Sequence, residues 1–115
     1  MGARVFAAIT GAAALLYAQT VNANYFLTGN DLYRYCTSGD TGYSVCIGYV
    51  EGVIDEWESD RATSRLQPCV PSGVVVDQLR DVVVQYLSQH PADRNTLASG
   101  LVMVAAAQAW NCALY

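Results

Sequence analysis

The clearest helical pattern of apolar positions lies in the middle of the chain. Between positions 43 and 57, apolar residues recur at steps of three and four, and the acidic residues of this stretch mostly fall between them. This period is typical of a helix with one apolar face, so it predicts a helix that begins near Tyr43. The apolar positions are Tyr43, Cys46, Ile47, Val50, Val53, Ile54 and Trp57.

Two glycines interrupt this predicted helix. Gly48 and Gly52 lie four positions apart and therefore share a face of the helix. Because glycine destabilises a helix by about 1 kcal/mol relative to alanine, the pair suggests that another backbone approaches this face closely. The alternative is a helix that is merely weakened at these two positions.

A first helix is predicted upstream of this one. Thr28 can cap it and Asp31, three residues later, can complete a capping box. We expect the helix to run from Gly29 to Tyr35 or Cys36 and to end in the turn-rich segment 37–42.

Two further helices follow a segment rich in proline and charge. Residues 58–71 predict a surface loop, and Val74 to Val76 are interpreted as the extended segment before a third helix. That helix ends at His90, since a proline restricts the residue before it. Pro91 then opens a fourth helix, from about Ala92 to Trp110, whose apolar residues on all sides belong in the middle of a bundle. The predicted fold class is all-α, a compact bundle of four main helices.

Residues 1–23 predict a signal peptide. Arg4 supplies the positive start, an uncharged alanine-rich stretch follows it, and Val21-Asn22-Ala23 fits a cleavage site. The apolar run falls short of the roughly 20 residues of a membrane span, so we expect no stable membrane insertion after cleavage. A buried first helix and a retained anchor are the alternatives. The remaining residues, 24–115, then form a single helical domain.

The charge balance disfavours one class of partner. The formal net charge is −4, all six basic residues are arginine, and removal of Arg4 with the signal peptide changes the charge to −5. An acidic protein repels phosphates, so we expect no nucleic-acid partner. The negative net charge is compatible with a basic or mixed-charge protein partner. A need for solubility explains the same charge equally well.

The four cysteines all lie after the predicted signal peptide. An even number in a short exported chain predicts two disulfides. Short connections make successive helices antiparallel neighbours, which brings Cys36 near Cys46 and Cys69 near Cys112. Metal binding by four thiolates is the rival interpretation, but the spacing contains no Cys-x-x-Cys and we expect no metal site.

Candidate catalytic chemistry is sparse. His90 is the only histidine and precedes a proline at a helix junction. Glu51 with Asp55, and Asp77 with Asp81, are carboxylates one helical turn apart, an arrangement that serves acid–base chemistry when it is buried in a cleft. A solvated helix face is the simpler interpretation of both pairs. We therefore predict no enzyme, no catalytic residues and no cofactor.

Several strings of this sequence resemble the Rap/Tai immunity proteins of type VI secretion systems. The resemblance runs through the whole chain after the predicted signal peptide, and one departure is Val75, where the family often has a threonine that we interpret as a lost helix cap. The matching strings are 26–32, Cys36, 46–55, 69–74, Gln78-Leu79, 86–91 and 109–112.

The resemblance implies a small periplasmic α-helical protein that forms a homodimer. It also implies that the protein partner is a peptidoglycan amidase effector, whose catalytic groove the immunity protein blocks with a surface element. We expect that element to be the end of the second helix and the loop after it, because a loop tethered by Trp57 and Cys69 loses little entropy on docking. The residues predicted to contact the partner are Asp55, Glu56, Glu58, Asp60, Arg61 and Arg65.

Three rival hypotheses accompany this interpretation. The predicted contact loop could be an ordinary solvated loop. The protein could be a periplasmic acid-stress chaperone, or a subunit of an envelope complex, without any toxin partner. An enzyme that uses Glu51 and Asp55 is the third.

Overall fold

The structure is a computed structural model that describes residues 24–115, so the predicted signal peptide lies outside the described residues. Its helices are α1 (Gly29–Thr37), α2 (Asp40–Thr63), α3 (Val76–Gln89) and α4 (Ala98–Trp110), with a short 3-10 helix at Pro91–Asp93. Residues 24–115 contain no β-strand, and their one isolated β-bridge joins Thr28 to Leu97. The predicted all-α bundle of four main helices is confirmed.

The start of α1 carries the capping box that the sequence predicts. The Thr28 hydroxyl accepts a hydrogen bond from the Asp31 amide at 3.2 Å, and the Asp31 carboxylate accepts one from the Thr28 amide at 3.0 Å. Two of the amides that a helix start leaves without partners are satisfied in this way.

A backbone segment before α4 docks against the same end of α1. The amides of Gly29 and Asn30 donate to the carbonyls of Thr96 at 2.9 Å and Arg94 at 2.7 Å. Glycine is required at position 29, because a Cβ there would lie 2.9 Å from the Cα of Arg94 and would collide with Leu101. The first turn of α1 is therefore completed by a segment more than sixty residues away in sequence.

This docking explains why the predicted start of the fourth helix is wrong. We expected the helix to begin at about Ala92, whereas α4 begins at Ala98 and Pro91 opens only the 3-10 helix. The carbonyls of Arg94 and Thr96 accept hydrogen bonds from the first amides of α1, so segment 94–97 does not continue the helical hydrogen-bond pattern. At the start of α3, Val75 has an extended backbone and makes no side-chain cap, as the lost threonine implies.

Helix α2 is longer than predicted at both ends. The predicted turn at 37–42 is reduced to Ser38 and Gly39, and Gly39 adopts a φ of 90° that glycine tolerates. At the other end, the predicted loop from Glu58 is wrong as far as Thr63, because Arg61 continues the buried face of the helix.

The end of α2 is a Schellman motif without the usual glycine. The amide of Leu66 donates to the carbonyl of Arg61 at 2.8 Å, and the amide of Arg65 donates to that of Ala62 at 3.0 Å. Arg65 takes the left-handed position, with a φ of 59°. An arginine gives no sequence signal for this turn, which is why the helix end was not predicted.

The core forms where α4 packs against the other three helices. Helix α4 contributes several buried alanines to this core, and the facing helices contribute larger side chains. Small residues on α4 let its neighbours approach closely, which suits the central position predicted for it. The most deeply buried large side chains are Leu32, Val50, Val83, Leu87 and Val102.

Both predicted disulfides are present. Cys36–Cys46 joins the end of α1 to the first half of α2, with the Cα atoms 4.9 Å apart. Cys69–Cys112 joins the loop after α2 to the end of α4, with the Cα atoms 5.6 Å apart. The antiparallel arrangement of successive helices therefore placed both pairs correctly.

Candidate functional site

The residues predicted to contact a partner lie on the last turns of α2 or just after them, and they differ widely in exposure. Four are exposed, Glu58 is half-buried, and Arg61 is only 5 % exposed. The helix also turns them towards different sides of the molecule, so they do not form one continuous loop surface. Their contact with a partner stays a prediction. The four exposed residues are Asp55, Glu56, Asp60 and Arg65.

The Glu58 carboxylate holds the loop that follows α2. It accepts hydrogen bonds from the backbone amides of Cys69 at 2.9 Å and Val70 at 3.1 Å. Two amides that lack a partner in regular secondary structure are satisfied by this one side chain. Glu58 thus fixes the loop next to the Cys69–Cys112 disulfide, a structural role that sequence spacing did not reveal.

Arg61 joins three separate parts of the chain. Its guanidinium donates to the carbonyl of Gln67 at 3.0 Å and to the carbonyl of Ala113, and it lies over the Trp57 ring at 5.1 Å. The Trp57 indole N–H donates to the carbonyl of Leu114 at 3.1 Å. We call this set, Trp57, Arg61, Gln67, Ala113 and Leu114, the tail clamp.

An open groove runs along the outer face of α2 beside α4. Its volume is about 460 Å³, its floor is largely apolar, and Glu56 and Asp60 stand one helical turn apart at its edge. We call it the α2–α4 groove. The residues that line it are Gly48, Tyr49, Gly52, Val53, Glu56, Trp57, Asp60, Ser99 and Met103.

The two glycines of α2 contribute to this groove. A Cβ atom at Gly48 or at Gly52 would meet no heavy atom within 4 Å beyond the neighbouring backbone of the helix. The close backbone that the sequence led us to expect is therefore not supplied by residues 24–115. Instead, the absent side chains leave the helix backbone itself accessible from the groove.

The floor of the groove is held in place by contacts beneath it. Trp57 is 3 % exposed and is anchored through the tail clamp. Burial raises the pKa of the Tyr49 hydroxyl, and the neighbouring Ser99 of α4 lowers it by less. Such a floor has little freedom to lose when something binds on it.

A second cleft lies on the other side of α2, against the segment that leads into α3. Its volume is about 290 Å³, and one wall carries Glu51, Asp55 and Glu58 while the other carries valines and Leu79. We call it the acidic cleft. Glu51 and Asp55 are both exposed to solvent, as expected for a solvated helix face.

The remaining candidate residues take part in local contacts. His90 Nδ1 lies 2.8 Å from the carbonyl of Tyr86, and the two rings stack with centroids 4.0 Å apart. Asp77 accepts a hydrogen bond from the Tyr43 hydroxyl, which raises the pKa of that tyrosine. Within residues 24–115, no group of three or more His, Cys, Asp or Glu side chains could hold a metal ion. In the same part of the chain, no helix has the length and apolar character of a membrane span.

Comparison with protein families identifies what kind of protein has this geometry. A sequence model of the Rap1a immunity proteins matches residues 28–112. The chain belongs to the Rap1a immunity protein family. No curated protein and no solved structure gives a significant match.

The Rap1a match spans the features that define the fold. It begins at Thr28, the cap of α1, and ends at Cys112, so it includes both disulfides and every residue of the α2–α4 groove. The carbonyls of Ala113 and Leu114 in the tail clamp lie just beyond it. Rap1a proteins are named for immunity, a function exerted by binding, and such families are typically not enzymes.

Proposed function

We propose that this protein is a periplasmic immunity protein that binds a peptidoglycan amidase effector and inhibits it. The observation that carries the proposal is the Rap1a family match over residues 28–112. The amidase and the type VI secretion system come from the resemblance of the sequence strings. Two disulfides support a location outside the cytoplasm, because such bonds persist in oxidising compartments.

The physical basis of the proposed inhibition is a rigid surface that excludes substrate. Helix α2 spans 24 residues, is bound to α1 by one disulfide, and has its far end fixed by Glu58 and the tail clamp. A pre-organised surface loses little conformational entropy when it docks, so more of its contact energy appears as affinity. Inhibition then requires only that the bound protein covers the catalytic groove of the amidase.

The test uses the oxidised protein from residue 24 to residue 115 and a purified peptidoglycan amidase effector of a type VI secretion system from the same organism. Hydrolysis of isolated peptidoglycan is followed while the protein is titrated in, and we expect inhibition to be complete near one protomer per enzyme. A muramidase that acts on the same peptidoglycan is the matched control and should keep its activity. An amidase that stays fully active at a large excess of protein would exclude the proposal.

The same preparation distinguishes the alternative function. Suppression of aggregation of a test protein at low pH, with no effect on the amidase, would favour the acid-stress chaperone. The proposed homodimer is measured by light scattering during size-exclusion chromatography, and the proposed periplasmic location by fractionation of cells that express the full chain.

A further inference from the structure

The α2–α4 groove exposes helix backbone in the middle of α2. Gly48 and Gly52 are both exposed, and a Cβ at either position would meet no heavy atom within 4 Å beyond the neighbouring backbone of its own helix. The packing of residues 24–115 therefore does not require glycine there, in contrast to Gly29, where a Cβ would collide with Arg94 and Leu101. Glycines without an internal role leave space for an external backbone to lie directly on the helix.

The floor of the groove offers apolar contact area. Tyr49, Val53 and Met103 are half-buried, so each still presents part of its side chain to the groove. Trp57 lies beneath them and is fixed through its hydrogen bond to the Leu114 carbonyl. A concave apolar floor bordered by a few polar groups is typical of a binding site.

The charge at the edge of the groove defines the chemistry of its occupant. Glu56 and Asp60 are exposed, and no arginine is among the residues that line the groove. The two ion pairs found within residues 24–115, Arg34–Asp31 and Arg80–Asp81, involve neither carboxylate. A positively charged side chain is therefore the complementary group. A second copy of this chain would bring the same two negative charges to the same face.

We propose that the α2–α4 groove is the surface on which the effector docks. A segment of the effector lies with its backbone on Gly48 and Gly52, and an arginine or lysine of that segment pairs with Glu56 and Asp60. This inference rests on the proposed function, because it takes the amidase effector as the partner. It moves the docking surface from the loop after α2 to the outer face of the helix.

The first test fills the groove. Gly52→Leu places a large side chain in the groove on an exposed helix face, where leucine is the better helix former. We expect the dissociation constant for the amidase to rise on the order of 100-fold, the effect of blocking a binding hot spot. The midpoint of thermal unfolding should be equal to that of the wild type or higher. Ser88→Leu, at an exposed position of α3, is the matched control and should bind like the wild type.

The second test removes the charge at the groove edge. Glu56→Gln combined with Asp60→Asn should slow association about 10-fold at low salt and should weaken the salt dependence of the association rate. Asp77→Asn combined with Asp81→Asn changes the net charge equally on an exposed face of α3, and it should have a much smaller effect. Both are measured by surface plasmon resonance with the immobilised amidase.

The outcomes separate this inference from the proposed function. Wild-type protein that fails to bind the amidase overturns both. If Gly52→Leu inhibits the amidase as strongly as the wild type does, only the docking surface is overturned. Loss of binding in Glu51→Gln combined with Asp55→Asn, but not in the Glu56 and Asp60 variant, would place the effector in the acidic cleft instead. A dimer that dissociates in Gly52→Leu while inhibition remains would assign the groove to a second copy of this chain.

Discussion

Replacement of Arg61 by alanine tests whether this residue stabilises the fold rather than contacting a partner. The guanidinium is 5 % exposed and donates to the carbonyls of Gln67 and Ala113. A hydrogen bond from a charged donor contributes about 1.5–3 kcal/mol, and stacking on Trp57 adds about 0.5–2 kcal/mol. Gln67 and Ala113 are themselves exposed, so water replaces part of the loss. We expect Arg61→Ala to lower the free energy of unfolding by about 3 kcal/mol.

The measurement is urea unfolding of the oxidised protein, with thermal unfolding as a second readout. For a domain of this size, 3 kcal/mol corresponds to a fall in the unfolding midpoint of about 12–24 °C. Arg65→Ala is the matched control, since Arg65 is exposed and makes no side-chain hydrogen bond within the described residues. It should change stability by less than about 0.5 kcal/mol.

A third variant separates the shape of the side chain from its charge. Arg61→Lys keeps the positive charge, but an ammonium group lacks the planar fork that spans two carbonyls and stacks on an indole. We expect most of the stability loss to remain. Arg61→Ala that unfolds within about 0.5 kcal/mol of the wild type would refute the tail clamp as a stabilising contact.

Three further predictions follow from the same structure. Gly29→Ala should destabilise the protein by about 1–3 kcal/mol in urea unfolding, because its Cβ would collide with the backbone of Arg94 and the side chain of Leu101. Stability close to that of the wild type would contradict the close approach. Replacing Cys69 and Cys112 by serine should lower the free energy of unfolding by about 4 kcal/mol, and replacing Cys36 and Cys46 by about 3 kcal/mol, because the Cys69–Cys112 bond closes the longer loop. Calorimetry that finds the larger loss for the Cys36 and Cys46 variant would contradict this argument. Hydrogen bonds from the Thr28 amide and hydroxyl lower the pKa of Asp31 below its ordinary value of 3.8. The ionised carboxylate therefore stabilises the folded protein above pH 3.8, and this contribution is lost as the pH falls through the pKa of the folded state. Asp31→Asn should therefore make the urea midpoint fall less steeply between about pH 5 and pH 2. A variant whose midpoint falls as steeply as that of the wild type would exclude this contribution of Asp31.

Local signals in the sequence predicted most of the fold. The capping residues of α1, the apolar stripe of α2 and the proline after α3 each act within a few residues, so their consequences are visible in a short window. The disulfide pairing also followed, because it depends only on the order and antiparallel packing of the helices.

A local turn without a sequence signal and several contacts between distant residues account for what was missed. The end of α2 depends on a left-handed arginine, and Arg61 is held by carbonyls at Gln67 and Ala113, six and fifty-two positions away. The late start of α4 depends on two carbonyls that serve α1. Of the residues predicted to contact a partner, Glu56 and Asp60 are exposed, and their contact stays a prediction. Glu58 and Arg61 bind backbone groups instead, a role that no sequence pattern marks.

The two disulfides connect the cysteines in the order in which they occur along the chain, first to second and third to fourth. An oxidase that meets the emerging polypeptide from its N-terminal end, and joins each new thiol to the previous unpaired one, forms the native bonds directly. Thiol–disulfide exchange between mispaired cysteines is then unnecessary. We therefore expect the reduced protein to reach its native disulfides by oxidation without an isomerase.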